Sequence, residues 1–433
     1  MKTYIRHIVE DFNFNNIKVD DKNIIDTIYE NLFKKLIENN CDTSKLSGVE
    51  QKYFYLNAKN NYQYKYPVKN KRELMNIVGY IVWNADLNFL DVSNIVDFSH
   101  VFRQHKDFNG NISEWNTSRA ITMKSMFHNS GFKGDISKWN VSRVKDMNGM
   151  FSGSRFNGDI SKWDVSNVED MSSMFLDSTF NNDIKDWNTH NVKDMSLMFT
   201  LSKFNKDISK WDTHNVTDMH GIFRDSKFTG DISNWDVSKV ENFELAFCRC
   251  PFNGDLSKWK FPKCVNMRYM FSESSLNNRS ICNWDVSKVE DFDNMFYNNT
   301  AFNMDISKWN TQGARTMAGM FKHSIFNKDI SQWKTGMVDD MHGMFYGSRF
   351  TGDISKWNVG HVRSMAYMFY ETHFNSNISK WDVRNCKDFH GMFYRAHNFN
   401  QDISKWNINK NADVENMFTE CKIKEEYKPT KQI

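Results

Sequence analysis

The segment Phe156-Asn-Gly-Asp159-Ile160-Ser-Lys-Trp163-Asp-Val165-Ser-Asn-Val168-Glu-Asp-Met171-Ser-Ser-Met174-Phe175 closes at Ser178 and begins again at Phe180. Its tryptophan recurs thirteen times from Trp115 to Trp406, spaced by 24 residues, with 25 before Trp284, Trp309 and Trp406. A weaker copy with Trp83 at the phenylalanine position and Leu90 at the tryptophan position precedes them, making fourteen units. A unit this short cannot bury its apolar face alone, so the chain must fold by stacking each unit on the next. The 433 residues therefore do not count domains.

The 36 Phe and 24 Met fall mostly at fixed positions of the repeat, so this excess belongs to a core and not to a cofactor box. Residues 1–82 hold 13 Lys+Arg against 10 Asp+Glu, and the rest balances at 43 against 43. That even balance argues against nucleic acid as a partner, which requires a clear basic excess. Seven Cys at 41, 248, 250, 264, 282, 386 and 421 mostly replace Val or Ser of the repeat. They read as buried thiols without a disulfide framework or zinc spacing. No secretory signal and no membrane span is expected, since no run of about 18 apolar residues occurs.

Four segments are predicted. Residues 1–66 form a docking or cap segment, with an amphipathic helix near 22–39 (Ile25, Ile28, Leu32, Phe33, Leu36, Ile37) and a β-hairpin from Lys52 to Tyr66. Residues 67–82 form a capping helix opened by the capping box Asn70-Lys-Arg-Glu73. Residues 83–418 form the repeat array, and 419–433 a solvated polar tail. Within each unit a short strand is expected around Ile-Ser-Lys-Trp, giving a parallel sheet along the array. Val168, Met171, Met174 and Phe175 lie at i, i+3, i+6 and i+7, the stripe of a two-turn helix, with Ser166 and Glu169 as its capping box. The fold class is thus α/β: a leucine-rich-repeat-like solenoid of fourteen strand-plus-short-helix units.

The run Phe-Asn-Gly-Asp-Ile-Ser-Lys-Trp-Asp-Val-Ser-Asn-Val-x-Asp-Met-x-x-Met-Phe resembles the BspA-like, Met-Phe-rich branch of the leucine-rich-repeat surface proteins. The lead-in Tyr66-Pro67-x4-Arg72-Glu73-Leu74 and Asn84-Ala-Asp-Leu-Asn88 resembles the segment that opens such arrays. The resemblance covers residues 67–418 and implies a surface or adhesion protein of a host-associated microbe, similar arrays also occurring in phages and protists.

Several rows of side chains invite a functional reading. Asp135, Asp159, Asp183, Asp207 and their equivalents form a carboxylate row, which reads as turn capping and pairing with Lys138, Lys162 and Lys210 in place of calcium binding. His190 and His214 occupy one position in adjacent units, about 5 Å apart. Two ligands make a poor metal site, so they read as exposed loop histidines and no metal or other cofactor is assigned. No catalytic constellation occurs, and the chain is not expected to be an enzyme. The residue after Met-Phe breaks the polar pattern at Tyr297, Tyr346, Tyr370 and Tyr394. Stacked tyrosines on a rigid face suit recognition, so these four are the candidate ligand-binding residues.

The expected function is therefore non-catalytic recognition or adhesion, with a protein or glycan on a cell or virion surface as partner. A cytoplasmic interaction scaffold is the competing reading. The expected location is virion-associated or cytoplasmic, with the cell surface implied by the resemblance alone. Segment 1–66 is too small to stand unsupported and is expected to dock the array on a larger assembly. Deleting residues 1–66 should leave a soluble, folded array that no longer sediments with that assembly; an unfolded truncation, read by circular dichroism, would make the segment a cap instead.

Overall fold

The computed structural model describes residues 66–80, 87–88 and 90–429. The helix expected near 22–39, nearly all of the 52–66 hairpin and the docking segment, and Trp83, Asn84 and Asp86 of the weak first unit lie outside the described residues. Strand β1 (Tyr66–Pro67) pairs in parallel with β2 (Leu90–Asp91), and between them runs α1 (Lys71–Tyr80). The Asn70 side chain accepts the Glu73 N–H at 3.0 Å, while the Glu73 carboxylate takes the Lys69 N–H at 2.7 Å. This satisfies donors at the start of α1. Leu74, Ile77 and Val78 are buried with Leu87 and Leu90 at the first end of the core. Lys71 ties the helix down through Asp97 at 2.9 Å.

From Val92 to Phe418 the chain repeats one coil, and each coil lies against the next. Phe, Ile, Trp, Val and Met of every unit share one continuous core. Equivalent rings stack in columns, as in Phe151–Phe175–Phe199–Phe223 at 5.9, 5.8 and 5.8 Å. Trp187–Trp211–Trp235 follows at 6.3 and 6.4 Å. Each Trp from 115 to 406 also donates its indole N–H to the carbonyl of the Ile or Leu in the preceding coil; Trp163 reaches Ile136 at 3.1 Å and Trp211 reaches Ile184 at 3.0 Å. A buried indole needs such a partner, and this one links two coils.

The local elements differ from those expected. Among the described residues no strand forms around Ile-Ser-Lys-Trp, because that segment is a turn. Asp159 accepts the Ser161 N–H at 2.9 Å, and the Trp163 N–H bonds Ile160 O at 3.1 Å. The parallel pairing lies instead beside Met, in single bridges running from Asp97 through Thr122, Asp146 and Asp170 to Asp413.

Among the described residues the two-turn helix is absent as well. The Glu169 N–H that the capping box would use goes to Lys145 O of the preceding coil at 2.8 Å. N–H groups of Met171, Ser173, Phe175 and Asp177 bond carbonyls of the following coil, alternating with local turns closed at Met174, Leu176 and Ser178. Ser173 and Asp177 have φ of 55° and 51°, and these two positions are left-handed in all fourteen units, from His100 and Gln104 to Asn416 and Glu420. Polar side chains set the corners: Ser154, Asp159, Asp164 and Asp170 each accept the N–H two residues on, at 3.1, 2.9, 3.1 and 2.8 Å. Asx and Ser turns at this density divert the backbone from both helix and strand.

The extra residue of the 25-residue units sits at one corner, between the Met-Phe and Ile positions. Before Trp284 it is absorbed in a 3₁₀ turn at Arg279–Ile281, capped by Asn278. Before Trp309 the fully buried Asn299 fills the corner and bonds Phe271 O and Ser274 Oγ, both at 3.2 Å. The far end also departs from the expected solvated tail: Ile423 is buried, Tyr427 packs on the core, and its carbonyl receives the Ile403 N–H at 3.0 Å. Residues 419–429 thereby cover the last coil, because the open end of a stack exposes core and unpaired backbone.

Trp211→Ala removes a buried ring and an intercoil hydrogen bond, and should cost about 3–5 kcal/mol; hydrogen exchange should accelerate in the coils around residue 211 and much less at the ends. Leu201, 52% exposed, holds a left-handed φ of 56°. Since that conformation costs a branched residue roughly 1–2 kcal/mol, Leu201→Gly should raise the melting temperature, and a fall would contradict the strained conformation.

Candidate functional site

The residue after Met-Phe projects from each coil at the same height, so its successive copies form a rail. In the second half of the stack the rail reads Tyr297, Lys322, Tyr346, Tyr370, Tyr394. Tyr346 and Tyr370 stack at 4.3 Å and 10°, and Tyr370 and Tyr394 at 5.0 Å and 9°. Tyr297 is not in the ring stack. Lys322 stands between it and Tyr346, with Nζ 5.9 Å from one ring centroid and 4.5 Å from the other. The four tyrosines therefore lie on one line, three as contiguous rings and the fourth across a cation.

Beside the rail runs a cleft of about 980 Å³. Two residues that the sequence reading passed over line it from inside the Met-x-x-Met segment, Tyr269 and Tyr367. Both are left-handed, with φ of 54°. This is the conformation that the repeat imposes at the same position of every unit. In three neighbouring coils the equivalent residue is Gly319, Gly343 or Gly391. A Cβ on Gly391 would come 2.8 Å from the Tyr367 ring, so this glycine is what lets the ring lie flat over the next coil. Tyr367 meets Tyr370 edge-on at 5.9 Å and His390 at 5.0 Å. The signal available in the sequence was this alternation of Gly and Tyr at one repeat position.

Charged groups edge the cleft. Burial lifts the Asp293 carboxyl above the usual range, against the bonds it accepts from Thr316 Oγ1 and from the Ala318 N–H at 2.8 Å. His342 is held above the ordinary imidazole value by its bond to Asp340 at 3.3 Å. Burial, followed by the neighbouring Tyr370, pushes the Tyr346 hydroxyl up to about 12, so it stays protonated and able to donate. Because the ring faces are largely occupied by one another, the rail presents hydroxyls and ring edges to a ligand, with one ammonium among them.

The other candidate rows resolve differently. The Asp159-type carboxylates cap turns, and Asp183 also pairs with Lys185 at 3.4 Å. At the repeat position of Lys138, Lys162 and Lys210, Lys258 bonds Asn234 at 2.7 Å and Lys308 bonds Asn283 at 3.5 Å. Cys248, Cys250, Cys264 and Cys386 are buried free thiols, and burial pushes Cys264 and Cys386 up to about 12. His190 and His214 lie 4.5 Å apart with Asp212 between them. Among the described residues no helix is long and apolar enough to cross a membrane.

No curated relative and no solved structure matches the chain. A family model described as "Mycoplasma protein of unknown function, DUF285" matches residues 73–179, 177–281, 266–373 and 324–428. These overlapping matches follow the tandem repeat through nearly all of the stack, and the family is of the BspA-like, Met-Phe-rich kind. With well over half of its length covered, the chain belongs to the DUF285 family of repeat proteins.

Proposed function

We propose that this repeat protein is a non-catalytic recognition module, a solenoid of the leucine-rich-repeat kind whose tyrosine rail and adjoining cleft bind a protein or glycan on a cell or virion surface. The observation that carries the reading is the unbroken line Tyr297-Lys322-Tyr346-Tyr370-Tyr394 beside a cleft edged by Asp293, His342 and His390. Half-buried tyrosines fixed by stacking offer contact area at little entropic cost, and their hydroxyls repeat with the coil spacing along the array. A row of that kind suits an extended ligand that itself repeats, such as a polypeptide strand or an oligosaccharide. A docking role for residues 1–66 complements this arrangement, with the array projecting away from the anchored end.

The labelled full chain is to be applied to a printed glycan array and to intact cells. Tyr346→Ala combined with Tyr370→Ala should weaken retention by roughly tenfold or more, the cost of losing an aromatic hot spot of about 1.4 kcal/mol or above. The melting temperature should change little, because both side chains are partly exposed. Retention that is unchanged in the double variant would sink the reading, and a chain that binds neither surface would favour an interaction scaffold inside the cell.

A further inference from the structure

A second feature lies at a different corner of the coil, apart from the tyrosine rail and independent of its proposed role. The residue three after Trp is Ser in the units of Trp163 and Trp235, but in the two units between them it is His190 and His214. The two imidazoles lie 4.5 Å apart, centroid to centroid. Between them sits Asp212, the residue after Trp211. Its Oδ2 is 3.1 Å from His190 Nδ1 and its Oδ1 is 2.7 Å from His214 Nδ1. The three ligand atoms all fall within 4.8 Å of one another. The sequence supplied two ligands; stacking the coils supplies a third.

The backbone around the three is fixed by bonds between coils, two across the Trp187 and Trp211 coils and a third from the Trp211 coil to the next. Thr189 Oγ1 donates to Asp212 O at 2.8 Å, Asn215 Nδ2 donates to His190 O at 2.8 Å, and Thr213 Oγ1 donates to Asp236 O at 2.9 Å. The spacing of the ligands is therefore set by the stack itself. The side chains remain 54%, 46% and 33% exposed for His190, Asp212 and His214, so an ion can enter and the rings can turn at little cost. A tetrahedral zinc ion with bonds of about 2.0–2.1 Å holds its ligand atoms roughly 3.3 Å from each other. The present separations require only small rotations to reach that.

We propose that His190, Asp212 and His214 bind a first-row divalent cation of the zinc class, clipping the Trp187 and Trp211 coils together and leaving one coordination position to solvent. Two imidazoles with one carboxylate favour zinc over calcium or magnesium, which prefer sets made of oxygen ligands. The other cluster of this kind among the described residues, His390 with Asp413 and Glu415 at 3.6 and 3.9 Å, offers a single imidazole. It is the weaker candidate for the same ion.

The test is zinc titration of the chelator-treated full chain by calorimetry. One saturable equivalent is expected, and a large excess of calcium should not displace it. His190→Ser and His214→Ser install the residue that the array itself uses at Ser166 and Ser238, so the fold should be kept. Each should weaken zinc binding by at least the ~10–100-fold that loss of an outer-shell partner costs. A parallel measurement avoids variants altogether: in imidazole nitrogen spectra of the wild-type chain, zinc should shift His190 and His214 ahead of the other histidines. Absence of saturable binding, an equivalent retained unchanged in both variants, or shifts spread over all histidines would each overturn the site.

Discussion

The stack depends on a single side-chain-to-backbone bond, from the tryptophan indole N–H of one coil to the isoleucine or leucine carbonyl of the coil before it. The same carbonyl closes the local turn, as Ile136 does for the Trp139 N–H at 3.1 Å while receiving the Trp163 indole, also at 3.1 Å. Turn and stacking contact therefore share one acceptor, and a coil cannot take its shape without fixing the position of its neighbour. Ring columns then add apolar contact between coils, as Phe151, Phe175, Phe199 and Phe223 each meet the equivalent ring of the next coil. Stability is carried by neighbours and not by any unit alone.

The carboxylates divide into two populations with opposite pH behaviour. Asp159, Asp207 and Asp353 are held below the usual range chiefly by the backbone N–H two residues on, so what they contribute is present above the unfolded value and lost as pH falls through the folded one. Asp170, Asp218 and Asp291, on the bridge column, are raised by burial. Their contribution is greatest below the unfolded value and declines as pH rises through the folded one. Acid thus loosens the exposed corners, while Asp170, Asp218 and Asp291 are favoured by protonation. Asp97 and Asp340 on the same column are instead held low against their burial, by bonds from Ser99 and Lys71 and by the bond with His342.

The sequence made the repeat, its register, its core residues and the tyrosine row legible, because each depends on which positions are apolar or aromatic. It misplaced the backbone. Val168, Met171, Met174 and Phe175 are buried as a helical stripe would be, yet the segment alternates intercoil bonds with tight turns. The contrary signal was polar: Asp or Ser two residues ahead of each turn N–H, and Gly149, Gly221, Gly319, Gly343 and Gly391 at one interior position of the supposed helix. Apolar periodicity does not distinguish a helix from a turn ladder with the same inward face. Tyr269, Tyr367 and Asp212 were missed for a related reason, since the groups that complete their surroundings, such as His390 for Tyr367 and His190 for Asp212, come from adjacent coils.

The single corner that absorbs an added residue gives the molecule an unusual arithmetic. Extra residues appear between Met-Phe and Ile at Asn278, Asn299 and the segment after Tyr394, and everywhere else the count from Trp to Trp is conserved within the chain. Elsewhere a one-residue slip would drive Asp or Lys into the columns where rings meet rings. Removal of a whole 24-residue block instead rejoins edges that already match. Length is thus quantised: a change by whole coils keeps the indole bonds and ring columns in register, and would slide the tyrosine rail nearer to or farther from the first coil while only the pairings particular to the altered coils are lost.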